Sequence, residues 1–368
     1  MLRKTILFLL TACSLSFASC VSAETERISF SADMARGERT DFRVEIDAGD
    51  NDPATFIPVS VIKGASPGPT VVMVAGVHGY EFAPLLAAER LADEIDPSDL
   101  SGTLMIVRVA HISSFENRSP YVNPHDRKNL NRSFPGDPEG SQTDRIAWAL
   151  SSKIISEADF VLDVHSGDGA EWLEAFVGVY GGPLATDYRT AFQFAEAMGF
   201  PNIVRYQMKT QLQIDTGRSL NRQAVAEGVP TILVEIGQNG SRDPDHVGAI
   251  IFGVKRGLQS LDMYDYDGGV TETPLRYFEG TRSVPVQNSG IWTPKSAFGR
   301  FVESGDELGV IRDYEGKHVE TVLAPSSGYT LYGLAGPPVR EGESIATIAN
   351  PSTRAELSPD IVDGQAEQ

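Results

Sequence analysis

The strongest constraint on the fold is a set of short, uninterrupted apolar runs, rich in β-branched residues, that alternate with segments of helical spacing. Residues 70–76 form the first such run, and apolar residues then recur at helical spacing over residues 82–95. A continuous apolar run is typical of a strand that is buried on both faces of a parallel sheet. This part of the sequence therefore predicts a strand, a loop and a helix.

The alternation continues along the chain and predicts the fold class. Further strands and helices are expected at residues 103–109, 145–155, 160–164, 187–198, 231–235 and 247–261. Strands that alternate with helices favour an α/β fold, here a doubly wound, mixed or parallel sheet with helices on both faces. We place this domain at residues 24–270.

The sequence pattern changes near Asp265. From there on, turn residues separate short strand-like segments, such as those at 302–309 and 324–329. This pattern predicts a small C-terminal all-β domain at residues 271–350. Residues 351–368 are polar and acidic, and we expect a disordered tail there.

The N-terminus has the composition of an export signal. Arg3 and Lys4 precede a short apolar run at residues 6–10, and small residues follow as far as Ala23. The run is too short to span a bilayer, so residues 1–23 are predicted to be a secretory signal peptide and the mature protein to be periplasmic or secreted. A buried N-terminal helix is the alternative. No later segment is long and apolar enough to predict a transmembrane helix.

Cys13 and Cys20 are the only cysteines in the sequence, and both lie in the predicted signal. The mature domain is therefore expected to have no disulfide, and its stability must come from its core and a metal. The residues before each cysteine resemble a lipoprotein cleavage box, so a lipid anchor is an alternative to free export.

The charge balance argues against polyanionic partners. The formal net charge is −19, from 31 basic and 50 acidic residues. Such a surface repels phosphate backbones and anionic lipid, so we do not expect nucleic acid as a partner. A small substrate meets the local charges of a cleft, and the average charge does not exclude it.

Residues suited to metal binding follow three of the predicted strands, at the sheet edge where α/β proteins form their sites. His78 and Glu81 lie three apart where a helix begins, and His165 follows another strand. Two histidines and one carboxylate would leave zinc a free position for water, as in a catalytic site. The alternative for each residue alone is a structural hydrogen bond, but the set predicts one zinc ion per chain.

Two acidic residues extend this prediction. Glu235 ends an apolar strand with no basic residue within five positions, so its carboxylate needs a partner or a function. We interpret it as the general base that activates water and then protonates the leaving amine, with a structural salt bridge as the alternative. Asp163 lies two residues before His165 and either orients that histidine or caps the strand.

A basic loop at residues 123–136 is unusual in so acidic a chain. Arg132 with Asn131 would form a planar clamp for a substrate carboxylate. A further arginine, Arg118 or Arg127, could stabilise the oxyanion of the tetrahedral intermediate. The alternative is a solvated loop whose charges balance nearby acids.

Four motifs together resemble the succinylglutamate desuccinylase/aspartoacylase family, a branch of the zinc carboxypeptidase-like hydrolases. They are His78-Gly79-Tyr80-Glu81, Asn129-Leu130-Asn131-Arg132 with Phe134-Pro135-Gly136, Asp163-Val164-His165 and Glu235-Ile236-Gly237. The resemblance spans about residues 71–261, and its specificity lies in the combination and order of the motifs.

This resemblance implies roles for the same residues. It implies zinc on His78, Glu81 and His165, and Glu235 as the general base. It implies that Asn131 and Arg132 bind the substrate carboxylate, and of the two candidate arginines it favours Arg118 for polarising the carbonyl. It also implies a C-terminal domain similar to a biotinyl/lipoyl-like barrel over about residues 285–350, where no lysine indicates a swinging-arm cofactor.

The function expected from the residues and the resemblance is that of a zinc-dependent amidohydrolase. It would remove the acyl group from an N-acyl amino acid or a similar carboxylate-bearing amide by metal-activated water. Well-known family members act in the cytosol, whereas this chain carries an export signal, which brings short or cell-wall peptides into consideration. The alternatives are therefore a zinc carboxypeptidase acting on such peptides and a non-catalytic envelope protein that binds metal or ligand.

Overall fold

The computed structural model describes residues 30–269 and 273–359. The predicted signal at residues 1–23, with Cys13 and Cys20, lies outside the described residues. The strands are β1 (Glu38–Ile46), β2 (Thr55–Lys63), β3 (Ser66–Ala75), β4 (Ser101–Val107), β5 (Phe160–His165), β6 (Glu171–Leu173), β7 (Phe176–Gly181), β8 (Asn202–Gln207), β9 (Thr231–Glu235), β10 (Arg276–Pro285), β11 (Gly290–Pro294), β12 (Phe301–Val302), β13 (Glu307–Arg312), β14 (His318–Leu323), β15 (Gly328–Leu334), β16 (Pro338–Val339) and β17 (Ser344–Ser352). The α-helices are α1 (Phe82–Glu94), α2 (Ile112–Glu116), α3 (Gln142–Ala149), α4 (Tyr188–Met198), α5 (Gln211–Asp215), α6 (Leu220–Ala226), α7 (Pro244–Ser260) and α8 (Arg354–Leu357).

In the described part of the chain, one mixed sheet of 13 strands forms the frame of the fold. Its order is β1-β2-β4-β3-β5-β9-β7-β8-β10-β17-β15-β12, with β6 paired to β15. In the middle of the sheet β4, β3, β5 and β9 run parallel to one another, whereas β2 pairs antiparallel with β4 and β7 pairs antiparallel with β9. The predicted α/β fold with a mixed sheet is confirmed.

Helices cover both faces of this sheet, which explains why residues 71–75 of the predicted run are apolar at every position. Val71 and Met73 belong to one hydrophobic core, together with residues of α1, α4 and α7. Val72 and Val74 belong to the opposite core, together with residues of α3 and α6. Because successive side chains of a strand point to opposite faces, every residue from Val71 to Ala75 has a buried environment. Full burial of one such side chain stabilises the fold by about 1.5–3 kcal/mol.

The C-terminal region is all-β, as predicted, but its strands join the main sheet. Strand β10 pairs parallel with β8, so that Arg276 lies opposite Asn202, and β17, β15 and β12 continue from it. The remaining strands form a separate antiparallel sheet in the order β14-β13-β11-β16. A third core, which includes Trp292, Ile311 and Ile345, packs in this region. The C-terminal region is therefore built onto the edge of the main sheet.

The prediction of a disordered tail is wrong for residues 351–359. Strand β17 continues to Ser352, and α8 follows it. Leu357 is fully buried, its carbonyl accepts a hydrogen bond from the Tyr188 hydroxyl at 2.8 Å, and Arg354 forms an ion pair with Glu196 at 2.7 Å. These contacts anchor a segment whose polar composition alone indicated disorder. Residues 360–368 lie outside the described part of the chain.

Among the described residues, no helix is both long enough and apolar enough to cross a bilayer.

Candidate active site

Three strand ends bring the predicted metal ligands and the predicted base together. Strand β5 lies between β3 and β9 and runs parallel to both, and it ends at His165, directly opposite Glu235 at the end of β9. The loop after β3 carries His78, and Glu81 immediately precedes α1. Since the carboxyl ends of parallel strands meet at one edge of a sheet, residues far apart in sequence converge there.

The loop that carries His78 depends on a glycine. A Cβ atom on Gly79 would lie 2.1 Å from the backbone carbonyl carbon of Ser114, far inside van der Waals contact. The Gly79 backbone N–H also donates a hydrogen bond to Ser114 Oγ at 3.1 Å. The Gly-Tyr-Glu sequence after His78 therefore allows this loop to pack directly against the segment that follows β4.

His78, Glu81 and His165 form one buried cluster. The Nδ1 atom of His78 lies 2.6 Å from Glu81 Oε1, and the Nδ1 atom of His165 lies 2.9 Å from Glu81 Oε2. The candidate ligand atoms of the three residues all lie within 4.8 Å of one another. Burial by itself would raise the pKa of Glu81, but attraction to His165 and His78 outweighs it and lowers that pKa to about 2. Glu81 is therefore ionised at neutral pH.

The far ring nitrogen of each histidine also has a partner. Nε2 of His165 lies 2.8 Å from Asp163 Oδ1, and Asp163 Oδ2 accepts a hydrogen bond from Asn221 at 2.7 Å. Nε2 of His78 lies 3.2 Å from Asn129 Oδ1. These contacts hold Nδ1 of both rings towards the cluster. Of the two sequence interpretations of Asp163, the contact agrees with the one in which it orients the histidine.

This donor set fits a divalent transition metal. Two imidazole nitrogens and one carboxylate are the ligands of many catalytic zinc sites, and a carboxylate on the far side of a ligating histidine is the usual support. The three residues could therefore hold a metal ion with coordination positions left for water and substrate.

Glu235 lies beside the metal cluster and lines the same cavity. Burial raises the pKa of its carboxyl well above the usual value; His165 opposes that rise, whereas Glu81, Glu171 and Asp163 add to it. No basic side chain in the described part of the chain forms an ion pair with Glu235, so the structural salt bridge is not observed. A carboxyl group with a raised pKa next to a metal site is suited to proton transfer.

The cavity at this edge of the sheet has a volume of about 720 Å³, the size of a small-molecule site. Besides the metal cluster and Glu235, it is lined by two arginines, several tyrosines, amides and a further carboxylate. These include Arg132, Arg222, Tyr121, Tyr180, Tyr206, Asn129, Asn131, Asn221 and Glu171.

The predicted carboxylate clamp lies in this cavity. Asn131 Oδ1 accepts a hydrogen bond from the backbone N–H of Leu220 at 3.0 Å, which fixes the loop against α6. The Arg132 guanidinium donates to the carbonyl of Asn131 at 2.6 Å and forms no ion pair with any described residue. Burial and repulsion from Arg222 lower its pKa. Two neighbouring guanidinium groups without a counter-ion are a site for an anionic substrate group.

Arg222 was missed in the sequence analysis. It lies on α6 and donates to the carbonyl of Thr216 at 2.6 Å, so its guanidinium is held at the cavity wall. A signal was present: Leu220-Asn221-Arg222 repeats the Leu-Asn-Arg triplet of residues 130–132. Asn221 supports Asp163 while Arg222 faces the cavity.

Arg118 is not among the residues that line this cavity. It lines another pocket of about 790 Å³, together with Tyr80, Phe82 and Arg108. The backbone turns at Arg118, where φ is 51°, and the returning chain places Tyr121 at the catalytic cavity. Arg127 does not line the catalytic cavity either. The expectation that Arg118 polarises the substrate carbonyl therefore disagrees with its position, and Arg222 is the second arginine of the cavity.

The family model of the succinylglutamate desuccinylase/aspartoacylase catalytic domain matches residues 67–260. The chain belongs to this family. Its match covers β3, which precedes His78, through α7, and so includes the metal cluster, the arginines and Glu235.

Individual relatives agree with this assignment. An N-alpha-acetyl-L-2,4-diaminobutyric acid deacetylase from Halomonas elongata is 28% identical over 302 residues, which cover 80% of this chain and 86% of the relative. Among solved structures, a succinylglutamate desuccinylase/aspartoacylase from Rhodobacter sphaeroides matches with a TM-score of 0.75 at 21% identity, covering 87% of this chain and 98% of that one. The product-bound ectoine utilization protein EutE (DoeB) from Ruegeria pomeroyi matches with a TM-score of 0.76 at 21% identity, covering 86% and 98%. The family and the deacetylase relative support an acyl amidohydrolase, and the two structures support the fold.

Proposed function

We propose that this protein is an exported, zinc-dependent amidohydrolase that removes the acyl group from N-acyl amino acids. The observation that carries the proposal is one cavity that holds His78, Glu81 and His165 beside Glu235 and also contains Arg132 and Arg222. This set provides a metal site, a base and an anchor for a carboxylate.

The residues of the cavity have separate tasks in this reaction. A zinc ion held by the cluster would act as a Lewis acid and lower the pKa of water. Glu235 accepts a proton from the attacking water as its oxygen bonds to the amide carbonyl carbon. When the C–N bond breaks, Glu235 returns the proton to the leaving nitrogen, which becomes the amine of the free amino acid. Arg132 and Arg222 hold the carboxylate and so align the amide bond.

The cavity favours an acyl-amino acid over a long peptide. Its volume of about 720 Å³ is that of a small-molecule site. Glu171 on one wall belongs to β6, which pairs with β15 of the C-terminal region, so that region supports this wall of the cavity. Short peptides remain in the substrate panel because the chemistry at the amide bond would be the same.

The decisive test compares zinc content and hydrolysis in the wild-type protein and Glu235→Gln. On a panel of N-acyl amino acids and short peptides, we expect kcat to fall by about 10²–10⁴-fold in the variant while zinc remains bound. Glu45→Gln, which changes an exposed carboxylate on β1, is the matched control and should behave as wild type. Equal turnover in Glu235→Gln would contradict the mechanism, and zinc binding without turnover in either protein would favour the non-catalytic alternative.

Export is a separate part of the proposal, and the composition of residues 1–23 supports it. Mass spectrometry of the mature protein should show a chain that begins near Glu24 if the signal is cleaved there. A chain that begins at Cys20 and carries lipid would favour the lipid anchor, and an intact N-terminus would contradict cleavage.

A further inference from the structure

One charged residue of the cavity has no task in the proposed reaction. Glu81 belongs to the metal cluster, Glu235 is the base, and Arg132 and Arg222 bind the carboxylate. Glu171, the first residue of β6, also lines the cavity and is half-buried there. A carboxylate in a substrate cavity is costly to maintain without a partner, so its surroundings show what it can bind.

The hydrogen-bond partners of Glu171 are all neutral. Its Oε1 accepts a hydrogen bond from the Tyr121 hydroxyl at 2.6 Å, and its Oε2 accepts one from the backbone N–H of Asp168 at 3.2 Å. No Lys, Arg or His of the described residues forms an ion pair with it. Arg132 and Arg222 therefore form no ion pair with Glu171, and no basic side chain of the described residues neutralises its charge.

A second, more deeply buried carboxylate stands behind Glu171. Asp168 is 1% exposed; its Oδ1 accepts from the Ala170 N–H at 2.9 Å, and its Oδ2 is buried and has no hydrogen-bond partner among the described residues. Burial raises the pKa of Glu171 to about 7, and repulsion from Asp168 adds to the effect. The ionised forms of these two neighbouring carboxyl groups are therefore destabilised by burial and by their mutual repulsion.

Aromatic rings border the pair. Tyr121 lies edge-on to His78 with 5.7 Å between ring centroids, which places the acids next to the metal cluster. Tyr332 of β15 contacts Glu171 from the C-terminal region. Carboxylates bordered by tyrosine rings form a suitable environment for an ammonium group, since both the charges and the ring faces attract a cation.

We propose that Glu171, supported by Asp168 and Tyr121, binds an ammonium group on the side chain of the substrate. The preferred substrates are then N-acyl derivatives of basic amino acids, held by the arginines at the carboxylate and by Glu171 at the side-chain amine. This inference rests on the proposed deacylase function and adds the substrate class to it.

The test uses pairs of substrates that differ only in charge. Nα-acetyl-ornithine and Nα-acetyl-norleucine differ by one ammonium in place of a methyl group, and Nα-acetyl-2,4-diaminobutyrate and Nα-acetyl-norvaline form a shorter pair. Wild-type protein should prefer the cationic member by about 30-fold or more in kcat/KM, the usual size of a partly desolvated charge pair. In Glu171→Gln this preference should disappear, because the cationic substrate loses rate while the neutral one stays within about threefold.

Two further variants separate charge from structure. Glu174→Gln removes a carboxylate three residues away that does not line the cavity, and it should keep the wild-type preference. Glu171→Asp retains the charge and should keep part of the preference. An equal preference in wild type and Glu171→Gln would overturn the inference and leave Glu171 a structural group, with deacylation intact.

A binding measurement keeps the inference testable if no substrate is hydrolysed. Calorimetry on the metal-loaded wild-type protein should show free ornithine binding about 30-fold more tightly than norleucine. Absence of turnover with this difference would contradict the proposed function but support the ammonium site. Equal affinity of the two amino acids for wild-type protein would overturn the ammonium site, and this result does not depend on the folding of any variant.

Discussion

The two walls of the catalytic cavity are built in different ways. One wall consists of His78, Glu81, His165 and Glu235, and it stands on the ends of adjacent parallel strands in the middle of the main sheet. The other wall carries Glu171 on the three-residue strand β6, which pairs with β15 of the C-terminal region, and Tyr121, which donates a hydrogen bond to Glu171.

The pairing of polar groups also differs between the walls. Both nitrogens of His165 have partners, and Asp163 behind it accepts from Asn221. On the other wall, Asp168 Oδ2 has no partner in the described part of the chain. In the proposed function, the comparison therefore teaches that the groups for the reaction stand on the sheet, whereas the group proposed to select the substrate stands on a wall that a different C-terminal region could change.

The largest expected effect concerns the arginines, which belong to neither wall. Arg222→Met should lower kcat/KM by about 30-fold or more for cationic and neutral substrates alike, because it removes the anchor for the carboxylate that both share. Arg118→Met is the comparison variant, since Arg118 lines the other pocket. We expect the loss in Arg222→Met to exceed that in Arg118→Met at least about tenfold. The reverse order, measured by steady-state kinetics, would restore the sequence-based assignment of Arg118.

The next effect tests the strand-end wall. Asp163→Asn should weaken metal affinity by about 10–100-fold, because the far nitrogen of His165 loses its charged partner. Metal titration with a competing chelator measures this change. Asp159→Asn, immediately before the first residue of β5, is the matched control and should keep the wild-type metal affinity. A loss of substrate preference in Asp163→Asn with unchanged metal affinity would break the division between the two walls.

The smallest expected effect is a pH dependence of the preference for cationic substrates, which we assign to the wall with Glu171. Burial and Asp168 raise the pKa of Glu171 to about 7, and Tyr121, Tyr332 and, at longer range, Glu81 face the same carboxyl. Below this pKa the carboxyl is neutral and attracts a cation poorly; above it the carboxylate is ionised. The substrate amine, with a usual pKa of about 10.4, stays protonated throughout.

The ratio of kcat/KM for Nα-acetyl-ornithine to that for Nα-acetyl-norleucine should therefore rise about tenfold from pH 6 to pH 8, as the binding-competent fraction of Glu171 grows. The titration of Glu235 changes kcat/KM for both substrates, so its effect cancels in the ratio. The same ratio should be independent of pH in Glu171→Gln. A wild-type ratio that falls with pH would contradict the assignment of the charge to this wall.

Part of the site could be predicted from the sequence because it follows from the strands. The run at residues 70–76 identified β3, and the ends of β3, β5 and β9 placed the metal ligands and Glu235 at one edge. The prediction of disorder from residue 351 was wrong for the described residues, because composition does not show that Leu357 is buried and hydrogen-bonded to Tyr188. The sequence did not show which pocket Arg118 lines, because the backbone turns at Arg118, where φ is positive, and only the chain after this turn reaches the cavity at Tyr121.

The sequence by itself therefore determined the mixed α/β fold, the His-Glu-His cluster and the position of Glu235, because local periodicity defines buried strands and their ends meet at one edge. Only the tertiary structure decided which arginines face the cavity and that Glu171 lies there without an ion pair to any basic side chain in the described part of the chain. Those features depend on loop turns and on the pairing of β6 with β15, which joins residues more than 150 positions apart. Such contacts are set by packing between distant parts of the chain, and the local periodicity of the sequence does not predict them.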